Sequence, residues 1–151
     1  MTTYQIRIEY LGTNFVGWQI QKNGLSIQEV LETALSKYFK ENIRVIGSGR
    51  TDSGVHASEQ SAHFKTKNKI NNIGIFLNAV NFFLKKHPVS ILNIQKRSNN
   101  FHARHSAKER VYKYFIVNRP SSLAIDKNKA WHIKKKLCLL YTSPSPRDIT
   151  P

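Results

Sequence analysis

This 151-residue chain has few cysteines, few acidic side chains and no long apolar runs. Proline is also scarce before the last eight residues. The single cysteine, Cys138, excludes an internal disulfide and fits a reducing, cytoplasmic compartment. No apolar run approaches the roughly 20 residues of a membrane-spanning helix, so no membrane partner is expected. The first ten residues alternate like a strand and lack the charged-then-apolar order of a signal peptide.

The shortage of acids leaves a large positive charge. The chain carries 24 Lys and Arg against 9 Asp and Glu, a formal net charge of +15. Residues 93–136 hold 12 of these cations and only two acids, and aromatic and histidine side chains interleave with them. Such a mixture is typical of a surface that follows phosphates and stacks on bases. We therefore expect a nucleic-acid partner, with single-stranded regions or RNA favoured over duplex grooves.

Hydrophobic periodicity predicts an α+β fold. The predicted order is a strand at 3–12, a helix at 26–40, strands at 42–49 and 59–66, a helix at 72–86, a strand at 89–98 and a further strand at 109–118. The order β-α-β-β-α-β is ferredoxin-like: one sheet with both helices on one face, leaving the other face free for a large partner.

Composition divides the chain into three parts. Residues 1–118 are predicted to form the ferredoxin-like half-domain, and residues 119–137 begin a connection to a C-terminal half that this chain lacks. Three of the five prolines fall in the last eight residues, where the periodicity stops. Residues 138–151 are therefore predicted to be a non-native or disordered tail.

The stretch "GSGRTDSGVHA", residues 47–57, holds three glycines and a single acid, Asp52, two residues after Arg50. A carboxylate can act as a nucleophile or a base without a cofactor, and a neighbouring arginine favours its charged form. Glycines would let the backbone approach a bulky substrate. Spacing alone is equally compatible with a structural turn in which the Asp52 side chain bonds to its own backbone.

Two other site chemistries fit the sequence poorly. The glycine-rich stretch lacks the Lys-Ser/Thr ending of a phosphate-binding P-loop, and its acid would oppose a bound phosphate. His56, His63, His102 and His105 are numerous, but they lack helical i, i+4 spacing and a cysteine pair. No metal site is therefore expected.

Four segments together resemble the tRNA pseudouridine synthase A family. "GRTDSGVHA" (49–57) resembles the signature turn in which the family has its catalytic aspartate. "YLGTNFVGWQIQ" (10–21) resembles the N-terminal strand and loop, and "SIQEVLETAL" (26–35) the first helix. "FHARHSAKERVYKYFIVN" (101–118) resembles the second signature segment. The resemblance extends from Tyr4 to Lys136 in family order, which makes it far more specific than one short motif.

The resemblance implies an isomerase that converts uridines 38, 39 and 40 of the tRNA anticodon stem-loop to pseudouridine, without cofactor or metal. It implies that Asp52 is catalytic and that Arg50 holds the target nucleotide out of the stack, since a stacked base cannot be reached. Tyr112 matches the tyrosine that stacks on the target base, and Arg104 an arginine near the acid. His56 is assigned to substrate binding, and the full-length protein is expected to be a cytoplasmic homodimer.

The chain also departs from the family pattern. Ser53 stands where alanine is usual, and His105 stands where phenylalanine is usual. Family members continue for roughly another hundred residues, a domain-scale segment. This chain is therefore expected to be truncated and inactive alone. The alternatives are a non-catalytic RNA-binding module with a basic sheet face, or a single-stranded DNA-binding module, although the second leaves "GRTDSG" unexplained.

Overall fold

The computed structural model describes residues 1–137. The chain divides into two compact units, the first comprising Met1–Ala107 and the second beginning at Lys108. The predicted boundaries at 118 and 137 stay predictions, and the predicted tail at 138–151 lies outside the described residues.

A four-stranded antiparallel sheet forms the centre of the first unit. Its strands are β1 (Thr2–Tyr10), β2 (Ile46–Gly47), β3 (Ala57–Thr66) and β4 (Val89–Arg97), in the order β2-β3-β1-β4. The period of two seen in the sequence is realised in β1, where Tyr4, Ile6, Ile8 and Tyr10 are all buried.

Two helices pack against this apolar side of the sheet. Helix α1 (Ile27–Phe39) begins at Ser26, whose hydroxyl accepts the Glu29 amide as a helix cap. Helix α2 (Ile73–Leu84) is capped in the same way by the Asn72 side chain. The buried residues of both helices share one apolar cluster with β1 and β3. The element order β1-α1-β2-β3-α2-β4 and the strand order confirm the predicted ferredoxin-like fold.

Strand β2 is much shorter than the predicted strand at 42–49. The backbone of Val45 bonds to side chains of α1 instead of a neighbouring strand: its amide donates to Glu32 Oε2 at 2.9 Å, and its carbonyl accepts Gln28 Nε2 at 2.8 Å. Side-chain partners therefore replace the sheet ladder at this position, so only Ile46 and Gly47 pair with β3.

The opposite face of the sheet was predicted to be free, and this was wrong in part. Thr3, Gln5 and His63 lie on that face, yet each is buried. Residues 99–106 contact two of them: the Thr3 hydroxyl donates to Asn99 Oδ1 at 3.5 Å, and the Ala103 amide donates to His63 Nδ1 at 2.9 Å. A segment C-terminal to β4 therefore covers part of the second face.

The second unit contains a small parallel sheet. Strand β5 (Ile116–Asn118) pairs with β6 (Trp131–Ile133). The further strand predicted at 109–118 thus forms only at its last three residues, and Val111, Tyr112, Tyr114 and Phe115 are exposed. The alternating pattern of 109–118 is typical of a strand, but a strand also requires a partner ladder.

Within residues 1–137, neither α1 nor α2 has the length and apolar character that a bilayer crossing requires.

Candidate functional site

The aspartate turn, defined here as residues 50–56, connects β2 to β3. Its entry is fixed by the side-chain amide of Gln60, whose Nε2 donates to the Gly49 carbonyl at 2.6 Å and whose Oε1 accepts the Ser48 hydroxyl at 3.0 Å. The Ser48 amide also donates to the Ser61 carbonyl at 2.8 Å. The turn therefore starts from a backbone that is held on the sheet.

A second segment, the N-terminal loop of residues 11–18, packs along the aspartate turn. The Trp18 amide donates to the Thr51 carbonyl at 2.9 Å, and the Ser53 hydroxyl donates to the Phe15 carbonyl at 3.1 Å. The buried Tyr10 hydroxyl lies 2.8 Å from Thr51 Oγ1, at the start of this loop. These bonds cross between segments about 40 residues apart and hold the residues on both sides of Asp52.

Two glycines make this contact close. A Cβ on Gly12 would lie 2.0 Å from the Val55 carbonyl oxygen, far closer than van der Waals contact allows. Gly17 has φ +107° and a Cβ there would lie 2.7 Å from the Thr51 carbonyl oxygen. The glycines of "YLGTNFVGWQIQ" are therefore required by the approach of loop backbone to turn backbone.

Arg50 and Asp52 share a solvent-accessible cleft of about 290 Å³ between the aspartate turn and residues 16–23. Both side chains are exposed. The cleft is lined by Val16, Gln19, Gln21, Asn23, Arg50, Thr51, Asp52 and Ser53. Arg50 and Asp52 face the same space and form no ion pair with each other.

The backbone closes the turn without help from the acid. The Val55 amide donates to the Asp52 carbonyl at 3.1 Å, and Gly54 takes the positive φ of +82° that the turn needs. Within residues 1–137 no hydrogen bond engages the Asp52 carboxylate, so the structural turn left open by the spacing is not formed by this side chain. A carboxylate on a fixed backbone and open to a cleft can act as a nucleophile or a base.

His56 ends the turn and secures it. Its Nδ1 accepts the Gly12 amide at 2.8 Å, which places the ring proton on Nε2 in the neutral form. This contact gives His56 a part in joining the turn to the N-terminal loop. Its assignment to substrate binding stays a prediction.

Arg104 lies on a different segment, residues 101–106, which we call the histidine segment. Ala103 at its centre is buried and bonds to His63 of β3. Burial is the main reason that the His63 pKa is lowered to about 4, with the nearby His102 and Lys65 acting in the same direction. Burial, followed by His105, Arg104 and Lys65, also lowers the pKa of His102.

Tyr112 belongs to the second unit and is 46% exposed. A tyrosine with a purely structural role in a strand would be buried, and Tyr112 is not. The first unit thus brings Arg50, Asp52 and His56 together on one turn, and it places Arg104 on the segment held by His63. The roles predicted for Tyr112 and Arg104 stay predictions.

Sequence reasoning missed the residues that support the turn, chiefly Tyr10, Thr51 and Gln60. Nothing in their spacing marks them, because their bonds join distant parts of the chain. The glycines at 12 and 17 are a usable signal, since two glycines in one short loop indicate a close approach of another backbone segment. Among the described residues, no group of three or more His, Cys, Asp or Glu side chains is placed to hold a metal ion.

Comparison with known proteins identifies the family. The family model for tRNA pseudouridine synthase matches residues 6–106, which include the turn, its supporting loop and the histidine segment. Proteins named tRNA pseudouridine synthase A are similar over most of this chain. The protein from Pelagibacter ubique is 56% identical over 91% of this chain, and that from Ehrlichia ruminantium strain Gardel is 48% identical over 89%.

This chain covers 56% of the Pelagibacter protein and 54% of the Ehrlichia protein, so it spans about half the length of the curated relatives it matches. The match nevertheless includes the N-terminal loop, α1 and β3, which support the aspartate turn. The family match agrees with the ferredoxin-like sheet and with the exposed Asp52 on a turn that packs against Gly12 and Gly17. The chain therefore belongs to the tRNA pseudouridine synthase family.

Proposed function

We propose that the protein to which this sequence belongs isomerises uridine to pseudouridine in tRNA, at positions 38, 39 and 40 of the anticodon stem-loop. The observation that carries the proposal is the Asp52 carboxylate, exposed in a cleft with Arg50 on a turn whose backbone is bonded on both sides. The relatives' name, tRNA pseudouridine synthase A, supports the substrate class.

The reaction needs no group from outside the chain and the RNA. The N1–C1′ bond breaks, the uracil turns, a C5–C1′ bond forms, and the proton lost from C5 is balanced by one gained at N1. Asp52 supplies the nucleophile or base for this exchange. The backbone on either side of Asp52 is bonded to the N-terminal loop, which positions the carboxylate while leaving its oxygens unbonded. A carboxylate positioned in this way reacts faster than a mobile one.

Arg50 is proposed to hold the flipped nucleotide. It opens into the same cleft as Asp52 and forms no ion pair with it, so its guanidinium is available to an RNA phosphate or base. Extrusion of the base is required because the reacting atoms are shielded in a stacked helix. Tyr112 is proposed to stack on the extruded base, and Arg104 and His56 to contact the RNA.

The test uses a chimera that joins residues 1–137 to the remaining part of the Pelagibacter ubique relative, because this chain covers only 56% of that relative. Tritium at uridine C5 is released to water when the C5–C1′ bond forms, so its release from labelled tRNA counts turnovers. Asp52→Asn should lower turnover more than about a hundredfold and change tRNA affinity only a few-fold.

Asp126→Asn provides the matched control, since it makes the same chemical change at an exposed acid of the second unit. Unchanged turnover in Asp52→Asn would refute the catalytic assignment. If the folded chimera bound tRNA but released no tritium, the alternative of a non-catalytic RNA-binding module would be supported instead.

We propose further that the full-length protein is a cytoplasmic homodimer. The resemblance to the family supports this, and sedimentation of the chimera tests the oligomeric state. A single species with the mass of one chain would contradict the dimer.

A further inference from the structure

The histidine segment is attached to the sheet through an unusual bond. Ala103, 2% exposed, donates its amide to Nδ1 of His63, and His63 is 3% exposed on the face of β3 opposite the helices. The ring of His63 also contacts Phe101 and His102, with ring centroids 6.0 and 4.7 Å away. A buried side chain 40 residues earlier in the chain therefore holds the middle of this segment.

The rest of the segment is organised around that attachment. His102 Nδ1 accepts the amides of Arg104 and His105, each at 3.2 Å, and the Ser106 hydroxyl accepts the His102 amide at 3.0 Å. The rings of His102 and His105 stack at 4.1 Å. Arg104 therefore lies on a compact turn whose middle residue, Ala103, is bonded to His63.

We propose that His63 is a positioning residue: its unprotonated Nδ1 holds the Ala103 amide and thereby sets the location of Arg104 for the RNA. The inference rests on the proposed function for the use of Arg104, while the attachment itself does not. His63 touches neither the cleft of Asp52 nor, in this proposal, the reacting atoms.

The proposal makes the attachment dependent on protonation. A protonated imidazole carries hydrogen on both ring nitrogens, so Nδ1 would face the Ala103 N–H donor to donor. Lys65 on the same strand and His102 above the ring add positive charge that opposes protonation, while the cross-strand neighbours, Gln5 and Ile46, are neutral. The His63 pKa of about 4 means that the bond is intact at neutral pH.

Hydrogen exchange at the Ala103 amide tests the attachment directly in the 151-residue chain. The Ile91 amide is an internal control, because it is held at 2.8 Å by Asn81 Oδ1, a side-chain acceptor that does not titrate. Protection of Ala103, corrected for intrinsic rates, should fall about tenfold as pH drops through about 4, while that of Ile91 stays constant. Parallel behaviour of the two amides would overturn the proposal.

Two substitutions separate positioning from simple burial. Asn presents a carbonyl oxygen near the position of Nδ1, so His63→Asn should keep Ala103 protected and remove the dependence on pH. His63→Leu keeps an apolar filling but removes the acceptor, and should lose about tenfold in protection. Equal protection in the two variants would contradict a role for Nδ1, and the wild-type pH profile decides the matter if His63→Leu does not fold.

The same variants in the chimera connect the attachment to the RNA. His63→Leu should weaken tRNA binding or turnover several-fold, and His63→Asn should restore it. If wild-type chimera lacks turnover while Ala103 behaves as described, the proposed function fails and the attachment stands. If wild-type chimera is active and His63→Leu loses Ala103 protection without loss of affinity or turnover, the positioning of Arg104 is refuted.

Discussion

At the scale of single residues, the candidate site depends on backbone contacts that admit no side chain. Gly17 shows this most clearly, since it combines a positive φ with a carbonyl oxygen of the aspartate turn 2.7 Å from where a Cβ would lie. Gly54, inside the turn, also has a positive φ, of +82°, but no atom lies within 4 Å of its Cβ position. The two glycines thus separate backbone strain from steric contact.

We expect Gly17→Ala to lower the free energy of unfolding by about 2–3 kcal/mol, because it adds a clash with Thr51 to the strain of a positive φ. Gly54→Ala carries the strain alone and should cost about 1–2 kcal/mol. Denaturant unfolding of both variants measures the difference. Equal losses would mean that the loop and turn can separate at no cost.

At the scale of elements, helix α1 does more than cover the sheet. Gln28 accepts the Ile20 amide at 3.0 Å and donates to the Val45 carbonyl, so one side chain joins the chain that follows the N-terminal loop to the chain that enters β2. Glu32, one turn later, accepts the Val45 amide. The helix thereby ties together the two segments that lead to the cleft.

Glu32 yields a prediction about pH. Burial has the largest effect on the pKa of Glu32 and raises it above the usual value of 4.5. The hydrogen bond from Val45 and the charge of Arg44 lower this pKa, while the charge of Glu29 raises it. Glu32 therefore keeps its proton to a higher pH in the folded state than in the unfolded state. The free energy of unfolding accordingly falls as pH rises from the unfolded pKa of Glu32 through its raised folded pKa.

Glu32→Gln keeps an acceptor for the Val45 amide but carries no charge to bury. We expect it to raise the free energy of unfolding by about 0.5 kcal/mol at pH 7 and to show no gain below pH 4.5. Unfolding curves at the two pH values provide the measurement. A loss of stability at pH 7 would show that the attraction of Arg44 outweighs the burial cost.

At the scale of the whole molecule, charge is the dominant property. The net charge of +15 is concentrated in residues 93–136, and Lys113 lies in the exposed stretch before β5. If these cations neutralise phosphates, each contact releases counterions and affinity depends strongly on salt.

We therefore expect the logarithm of tRNA affinity to fall linearly with the logarithm of salt concentration. Lys113→Glu should weaken binding and flatten that slope by about one unit. Lys86→Glu makes the same charge change at an exposed position after α2 and should alter the slope less. Filter binding across a salt series gives both values, and a flat wild-type line would contradict phosphate contact.

The second whole-molecule prediction concerns activity. The 151 residues alone are expected to release no tritium from labelled tRNA, whereas the chimera with the relative's remaining part should turn over. Asp52 and Arg50 are exposed, and catalysis requires an enclosed, positioned nucleotide, for which a small misplacement costs on the order of a hundredfold. Equal rates for the two proteins would show that the 151-residue chain is already a complete enzyme.

The sequence by itself determined the elements of the first unit and the candidate acid. Period-two and helical patterns predict β1, α1, β3, α2 and β4 because side chains repeat along each element, and the glycines around Asp52 identify the turn. These signals are local, so they survive without knowledge of the fold. The ferredoxin-like order follows from them.

Only the tertiary structure decided how the turn is supported and what covers the second face. The bonds of Tyr10 to Thr51, Gly12 to His56 and Ala103 to His63 join residues about 40 positions apart or more, through single side chains and amides. Such bonds carry no periodicity, so no pattern in the sequence predicts them. Strand β2 is short and residues 109–115 form no strand for a related reason: pairing depends on which partner lies alongside, and that is fixed only when the chain has folded.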